Sequence, residues 1–205
     1  ALTFTAKAAG EMRARLRSLG VPTVAARTIH SAALKQLLYF WPSVFGGRTP
    51  DLMTTKTGFL TEAINRAGLS DSIRATNREL MRDIASEIEW AKVSQVAPSD
   101  YVDEISKRMQ KPRVLPEQMV QIYTAYESVK KQELAIDFED VLLLCAAMLE
   151  EELEVRERVQ DQYRYFTIDE YQDVSPVQQR LINAWLGKRN DICVVGDPAQ
   201  TIYSF

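Results

Sequence analysis

Apolar positions along this chain change their period twice. "ALTFT" at the start is a short β-rich run that predicts a strand, and "KAAGEMRARLRSL" behind it places Ala9, Met12, Leu16 and Leu19 at helical spacing. Gly20 ends that helix. "PTVAART" predicts a second short strand, and "HSAALKQLLYFW" a helix with Thr28 or Ser31 as its N-cap. Residues 42–57, rich in Pro, Gly and Thr, predict a loop and a domain boundary. From about residue 58 to about residue 155 the patterns are helical. Leu80, Ile84, Ile88 and Ala91 line one face of "NRELMRDIASEIEWAKV". Ser99 is the expected cap of "PSDYVDEISKRM", and Pro116 takes a first-turn position in the next helix. Asp137 and Asp140 form an acidic variant of the capping box. Then the period disappears. "YRYFTID" and "DICVVGD" are short apolar runs, the pattern of strands buried on both faces, with the helix "SPVQQRLINAWLG" between them. Strand, helix, strand implies a parallel sheet with crossover helices. The expected organisation is α/β at both ends, residues 1–41 and 156–205, around a mostly helical insertion of residues 42–155.

Open parallel sheets bind ligands at the carboxyl ends of their strands. Asp169 and Glu170 stand at one such end, and Asp197 follows the next strand with Gln200 three residues on. One carboxylate there can hold Mg²⁺, and a second can orient and deprotonate a water that attacks a phosphoryl group. A bare acid pair is more often a cap or a solvated turn. Acids at two successive strand ends, with Gln200 beside the second, favour chemistry. Asp173 reads as the cap of the following helix.

Composition adds limits. The 205 residues are 46% hydrophobic and 26% charged, as in an ordinary globular protein. No apolar run approaches the roughly 20 residues of a membrane span, and the first residues lack the basic leader of a signal peptide. Cys145 and Cys193 lie far apart in apolar surroundings and are expected to be buried thiols in a reducing, cytoplasmic setting. The net charge of −3 is unevenly spread. Residues 1–41 carry six bases (Lys7, Arg13, Arg15, Arg17, Arg27, Lys35) against Glu11 alone, whereas residues 133–157 carry nine acids against Arg156 alone. A basic first segment suits a polyanion, though Arg13, Arg15 and Arg17 also fit a solvated helix face.

A phosphate-cradling loop of the form G-x-x-x-x-G-K-[ST] is not found in these residues. "FGGRT" has no lysine, and "LGKRN" follows a helix and has no Ser or Thr. The abrupt opening strand leads to the expectation that the chain begins downstream of such a loop.

Five separated stretches then agree. "TFTAKAAGEM", "TIHS", "DFEDVLLL" and the pair "IDEYQDVSPVQ" and "VVGDPAQTIYSF" resemble, in order and spacing, motif Ia, the TFHS element, the D-F-x-D-L-L element and motifs II and III of the UvrD/PcrA/Rep family of superfamily 1 DNA helicases. The resemblance covers essentially the whole chain, with residues 42–135 matching by pattern more than by motif. It implies a partial RecA-like P-loop NTPase domain, the family's 1A, interrupted by a helical 1B insertion. It implies ATP and Mg²⁺ as cofactors, with Asp169 on the metal, Glu170 activating water and Gln200 sensing the γ-phosphate. It implies that Phe4, Thr5, Lys7 and His30 line the path of single-stranded DNA, with Tyr203 and Phe205 beside it. Stacking on an aromatic face is worth about 1–3 kcal/mol per base and tolerates any sequence, which suits a motor. Ala6 stands where the family has Asn, and Phe205 where many members have Trp.

The function so implied is that of part of an ATP-dependent DNA helicase. Its parent moves 3′ to 5′ on single strands and opens duplex in repair or replication, acting on single strands and single-strand/duplex junctions. Without a phosphate loop or a second RecA-like domain, the 205 residues alone are expected to be inactive. Two alternatives stand beside this one. The first is a helicase–nuclease subunit of the RecB or AddA type, against which the compact insertion argues. The second is a non-catalytic DNA-binding or docking module, against which Asp169, Glu170 and Gln200 argue.

Overall fold

The structure, a computed structural model, describes residues 1–73, 77–109 and 111–201. The chain forms two compact units, residues 1–48 with 141–205 and residues 49–140. These limits differ from the changes of pattern at 42 and 155. Helix α2 runs past 42, and residues 141–149 supply core side chains to the first unit.

The first unit is built on four parallel strands: β1 (Leu2–Thr3), β2 (Arg27–Thr28), β5 (Phe166–Ile168) and β6 (Ile192–Val194), in the order β2-β1-β5-β6. Leu2 stands opposite Arg27 on one side and Ile168 on the other, and Ile168 opposite Val194. Its helices are α1 (Ala6–Ser18), α2 (Ile29–Val44), most of α7 (Phe138–Glu151), α8 (Leu153–Gln162) and α9 (Pro176–Leu186). The α/β class with a parallel sheet and crossover helices is therefore as expected.

Local chemistry fixes the helix starts. The hydroxyl of Thr5 accepts from Ala8 N–H and caps α1, and Thr28, not Ser31, caps α2 by accepting from Ser31 N–H. Ser175 caps α9 in a reciprocal box with Gln178. The expected role of Asp173 as that cap is thus corrected. Pro176 has the helical φ of a first residue, which leaves Ser175 in the extended conformation that a cap needs. Helix α2 passes Pro42 and stops two residues later, with the Phe45 N–H closing on Trp41 O.

The core of this unit is closed by polar as well as apolar contacts. Phe166 stacks on Trp185 with ring centroids 6.1 Å apart. The buried Gln36 accepts from Trp185 Nε1 at 2.7 Å and from Cys145 Sγ at 3.7 Å, so neither buried donor is orphaned. Arg189 donates to the carbonyls of Gln160, Tyr163, Trp185 and Leu186, which satisfies the free ends of α8 and α9 together.

The second unit holds α3 (Thr57–Arg66), α4 (Arg78–Val93), α5 (Tyr101–Lys107) and α6 (Pro116–Gln132) around a core that includes Leu60, Ile84, Ile88, Ile105, Ile122 and Tyr126. Two short parallel strands, β3 (Asp51–Leu52) and β4 (Ala135–Ile136), were not legible as strands because two residues carry no period. Ser99 does not cap α5. It lies in a 3₁₀ turn, and Asp100 takes the N-cap position. The Asp137–Asp140 box is present: each side chain accepts from the other's backbone N–H, at 2.8 and 3.0 Å.

That box is embedded in charge. Lys92 Nζ lies 2.7 Å from both Asp137 oxygens and also meets Asp140, and Lys130 Nζ reaches Asp137 at 3.1 Å and Asp140 at 2.6 Å. Glu127, Asp137 and Asp140 bring their oxygens within 4.8 Å of one another. Two ammonium groups already supply the cation there.

Candidate functional site

All four strands of the first unit are parallel, so their carboxyl ends define one edge. Every described candidate residue sits just past that edge. His30 follows β2; Phe4, Thr5 and Lys7 follow β1; Asp169 and Glu170 follow β5; Asp197 and Gln200 follow β6. The sheet order therefore sets His30, then Phe4 and Thr5, then the acid pair, then Asp197 and Gln200 along one line. Tyr203 and Phe205 lie outside the described residues.

At the β5 end, Asp169 N–H donates to Leu2 O at 3.1 Å, the last rung between β5 and β1. Asp169 Oδ1 then accepts from Glu170 N–H at 3.1 Å. Glu170 has φ 55° and ψ 43°, in the left-handed region. A side chain there costs about 1–2 kcal/mol. Gln95 and Leu134 share this conformation, and each follows the C-cap of a helix, α4 or α6, where it is commonplace. Glu170 does not end a helix. It turns the chain between a strand and the 3₁₀ turn Tyr171–Asp173, and strain held at a strand end is a mark of a functional turn.

At the β6 end, Asp197 uses both oxygens: Oδ1 accepts from Ala199 N–H at 2.9 Å and Oδ2 from Gln200 Nε2 at 2.8 Å. The two strand ends are joined by Gln172, which the sequence reading passed over. Its Nε2 donates to Glu170 Oε2 at 2.6 Å and its Oε1 accepts from Asp197 N–H at 3.0 Å. The signal was in "DEYQD" itself, an amide two residues beyond the glutamate. Tyr171 N–H adds a bond to Val195 O at 2.8 Å. Gly196 lets the two turns approach here: a Cβ would come within 2.5 Å of Gln172 Oε1, displacing that side chain, and 3.1 Å of Tyr171 N.

Thr5 and Lys7 are exposed, and Phe4 and His30 half-buried. Burial lowers the His30 pKa below the ordinary imidazole value, so the ring is neutral at pH 7. Lys7 stands 4.0 Å from Glu11 across a solvated helix turn, too open a pair to hold it. Arg13 Nη1 donates to Ala26 O at 2.7 Å, which ties the α1 face to the segment entering β2. A cleft lined by Arg13, Arg17, Thr23 and Arg27 lies along that segment, away from the carboxylates.

The thiols differ from expectation in one respect. Cys145 is buried, and burial pushes its pKa up to about 12. Cys193 is exposed, as are Val194 and Val195. The reason is positional: among the described residues β6 pairs only with β5 and forms an edge of the sheet.

Oxygen donors from two adjacent strand ends suit a small hard cation, and a carboxylate with one oxygen uncommitted beside it suits proton transfer from water. The family model for the UvrD/REP helicase N-terminal domain matches residues 1–205. The chain is 44% identical over 216 residues to the ATP-dependent DNA helicase UvrD2 of Mycobacterium tuberculosis. It is 29% identical over 209 residues to the ATP-dependent DNA helicase PcrA of Leuconostoc citreum, and 28% identical over 211 residues to the ATP-dependent DNA helicase Rep of Buchnera aphidicola. Each match covers 100% of this chain but 30%, 27% and 29% of the relative, so the chain spans less than a third of their length. On a match that runs from the first residue to the last, the chain belongs to the UvrD/REP helicase N-terminal domain family.

Proposed function

We propose that this chain is the part of an ATP-dependent DNA helicase that joins the site of ATP hydrolysis to the track of single-stranded DNA. The observation that carries the reading is the shared strand edge, with Asp169, Glu170 and Gln200 over β5 and β6, and Phe4, Thr5, Lys7 and His30 over β1 and β2.

Mg²⁺ fits the first half. Asp169 Oδ1 is held by a backbone N–H, which leaves Oδ2 for a cation, and the neighbouring donors are carboxylate oxygens. Bound there, the ion would neutralise phosphate charge. Glu170 takes the proton of the attacking water at Oε1, since Gln172 holds Oε2. Gln200, tethered to Asp197, donates toward the γ-phosphate. In the second half Phe4 offers a ring to a base, and neutral His30 and Thr5 offer polar contacts. Lys7 and the arginines of α1 supply backbone-tracking charge, so binding weakens steeply with salt. Tyr203 and Phe205 complete the track.

The parent protein moves 3′ to 5′ along single strands and opens duplex at junctions during repair or replication, in the cytoplasm. The 205 residues alone, which contain no Walker A sequence, do not turn over ATP. The test is ATP hydrolysis by the full-length protein with and without single-stranded DNA, beside Glu170→Gln. DNA-stimulated turnover that disappears in the variant supports the reading, and turnover that survives it overturns the reading.

A further inference from the structure

We infer that Gln172 is a positioning residue for hydrolysis: its amide fixes the Glu170 carboxylate and keys it to the loop that carries Asp197 and Gln200. The inference rests on the reading of Glu170 given above.

The orientation of the amide is set by its neighbours. A backbone N–H only donates, so Asp197 N–H, at 3.0 Å, requires the carbonyl oxygen Oε1 on its side. That turns Nε2 to Glu170 Oε2, at 2.6 Å, where a carboxylate only accepts. Neither partner can be satisfied if the amide flips. Gly196 keeps the space, because any Cβ there would meet Oε1 at 2.5 Å. The path then continues from Asp197 Oδ2 to Gln200 Nε2 at 2.8 Å. Glu170, Gln172, Asp197 and Gln200 thus form one unbroken hydrogen-bonded chain across two strand ends.

Two consequences follow. Glu170 is exposed and its backbone is in the left-handed region, so its side chain has few neighbours to hold it. The charge-assisted bond from Gln172 restricts its rotamers and reserves Oε1 for water. In addition, Gln200 and Gln172 share Asp197, the first through its carboxylate and the second through its backbone N–H, so a shift of the loop that carries Asp197 pulls on the amide that holds Glu170. A movement at Gln200 therefore reaches the base through one side chain.

The experiment uses the full-length protein and steady-state ATP hydrolysis with saturating single-stranded DNA. Gln172→Ala is expected to lower kcat about 10- to 100-fold, in the usual range for a group that orients a reacting residue, with KM for ATP little changed. Gln172→Glu provides the sharper readout. Its ionised form cannot donate and repels Glu170, but its protonated form offers an O–H donor and a carbonyl acceptor in place of the amide's N–H and carbonyl. The like charge of Glu170 raises the new carboxyl's pKa. The ratio of Gln172→Glu to wild-type kcat therefore rises from pH 8 to pH 6, whereas the Gln172→Ala ratio stays flat. Asp169, Glu170, Asp197 and Tyr171, the other ionisable groups nearby, are present in all three proteins. Glu170→Gln is measured in parallel. If it abolishes turnover and both Gln172 variants match wild type, or their ratios share one flat pH profile, the inference on Gln172 alone is overturned. If Glu170→Gln retains turnover, the reading of the base is wrong and the inference falls with it.

Discussion

Asp197 Oδ2 accepts a hydrogen bond from Gln200 Nε2 at 2.8 Å, so the amide at the end of the second strand turn is held by its own loop. A tethered donor loses little freedom when it meets charge developing in a transition state.

Replacing that amide by a carboxylate removes the donor, and with it the tether to Asp197, and so tests that role. Gln200→Glu in the full-length protein should reduce DNA-stimulated ATP hydrolysis by about 100-fold or more. It should also lessen the dependence of hydrolysis on DNA. Turnover measured with and without single strands checks both, and an unchanged stimulation ratio would count against Gln200 as the link.

Stability should depend on the buried charges of the second unit. Burial disfavours the Lys92 ammonium, but Asp137, Asp140 and Glu127 outweigh it and raise the pKa. Burial likewise opposes ionised Asp137, and Lys92 with Lys130 still holds its pKa well below the carboxylate range. Lys92→Met leaves the carboxylates underpaired and should cost about 3–5 kcal/mol, read from urea unfolding of the chain.

The same network gives a pH signature. A carboxylate with a depressed folded-state pKa contributes stability that is present above its unfolded value of about 4 and lost as pH falls through the folded one. The urea midpoint of the wild-type chain should fall as pH drops below that value. Asp137→Asn should lie lower at pH 7 and change less between pH 5 and pH 3. Parallel curves for the two proteins would contradict this.

His30 has the opposite chemistry and the same sign. Its pKa is lowered by burial, so the folded chain binds fewer protons than the unfolded one just below pH 6.5, and stability declines as pH falls through that value. It is the only histidine, so its imidazole resonances in the chain are unambiguous. An NMR titration should give a midpoint below the ordinary value of about 6.5.

Much of this arrangement was legible in the sequence, for identifiable reasons. The strand ends at Asp169 and Asp197 show because short apolar runs stop there, and Thr28 and Pro116 show because caps and first turns select residue types. What was not legible depends on neighbours distant in sequence. Exposure of Cys193 depends on which strand pairs with β6. The β3–β4 ladder joins residues more than eighty apart. The role of Gln172 needs the β6 turn beside it, and a sequence shows only that an amide is near a glutamate. The Lys92–Asp137 pair is likewise a product of packing, since from sequence Asp137 reads only as a cap and Lys92 as a solvated charge.

The thiols give an independent check on the sheet edge. Cys193 should react readily with an aqueous thiol reagent in the folded chain, while Cys145, buried and with its pKa near 12, reacts only after unfolding. Mass mapping of the labelled positions before and after urea decides it.

The central claim is that one strand edge carries two separable sites. It is tested most directly by measuring single-stranded DNA affinity of the full-length protein with Glu170→Gln and with Phe4→Ala. The division predicts that Glu170→Gln, though inactive in hydrolysis, keeps the wild-type Kd. It predicts that Phe4→Ala raises Kd by about 5- to 150-fold, as expected for loss of one stacked base. A Glu170→Gln protein that loses DNA affinity as Phe4→Ala does, or a Phe4→Ala protein that binds as wild type, would contradict it.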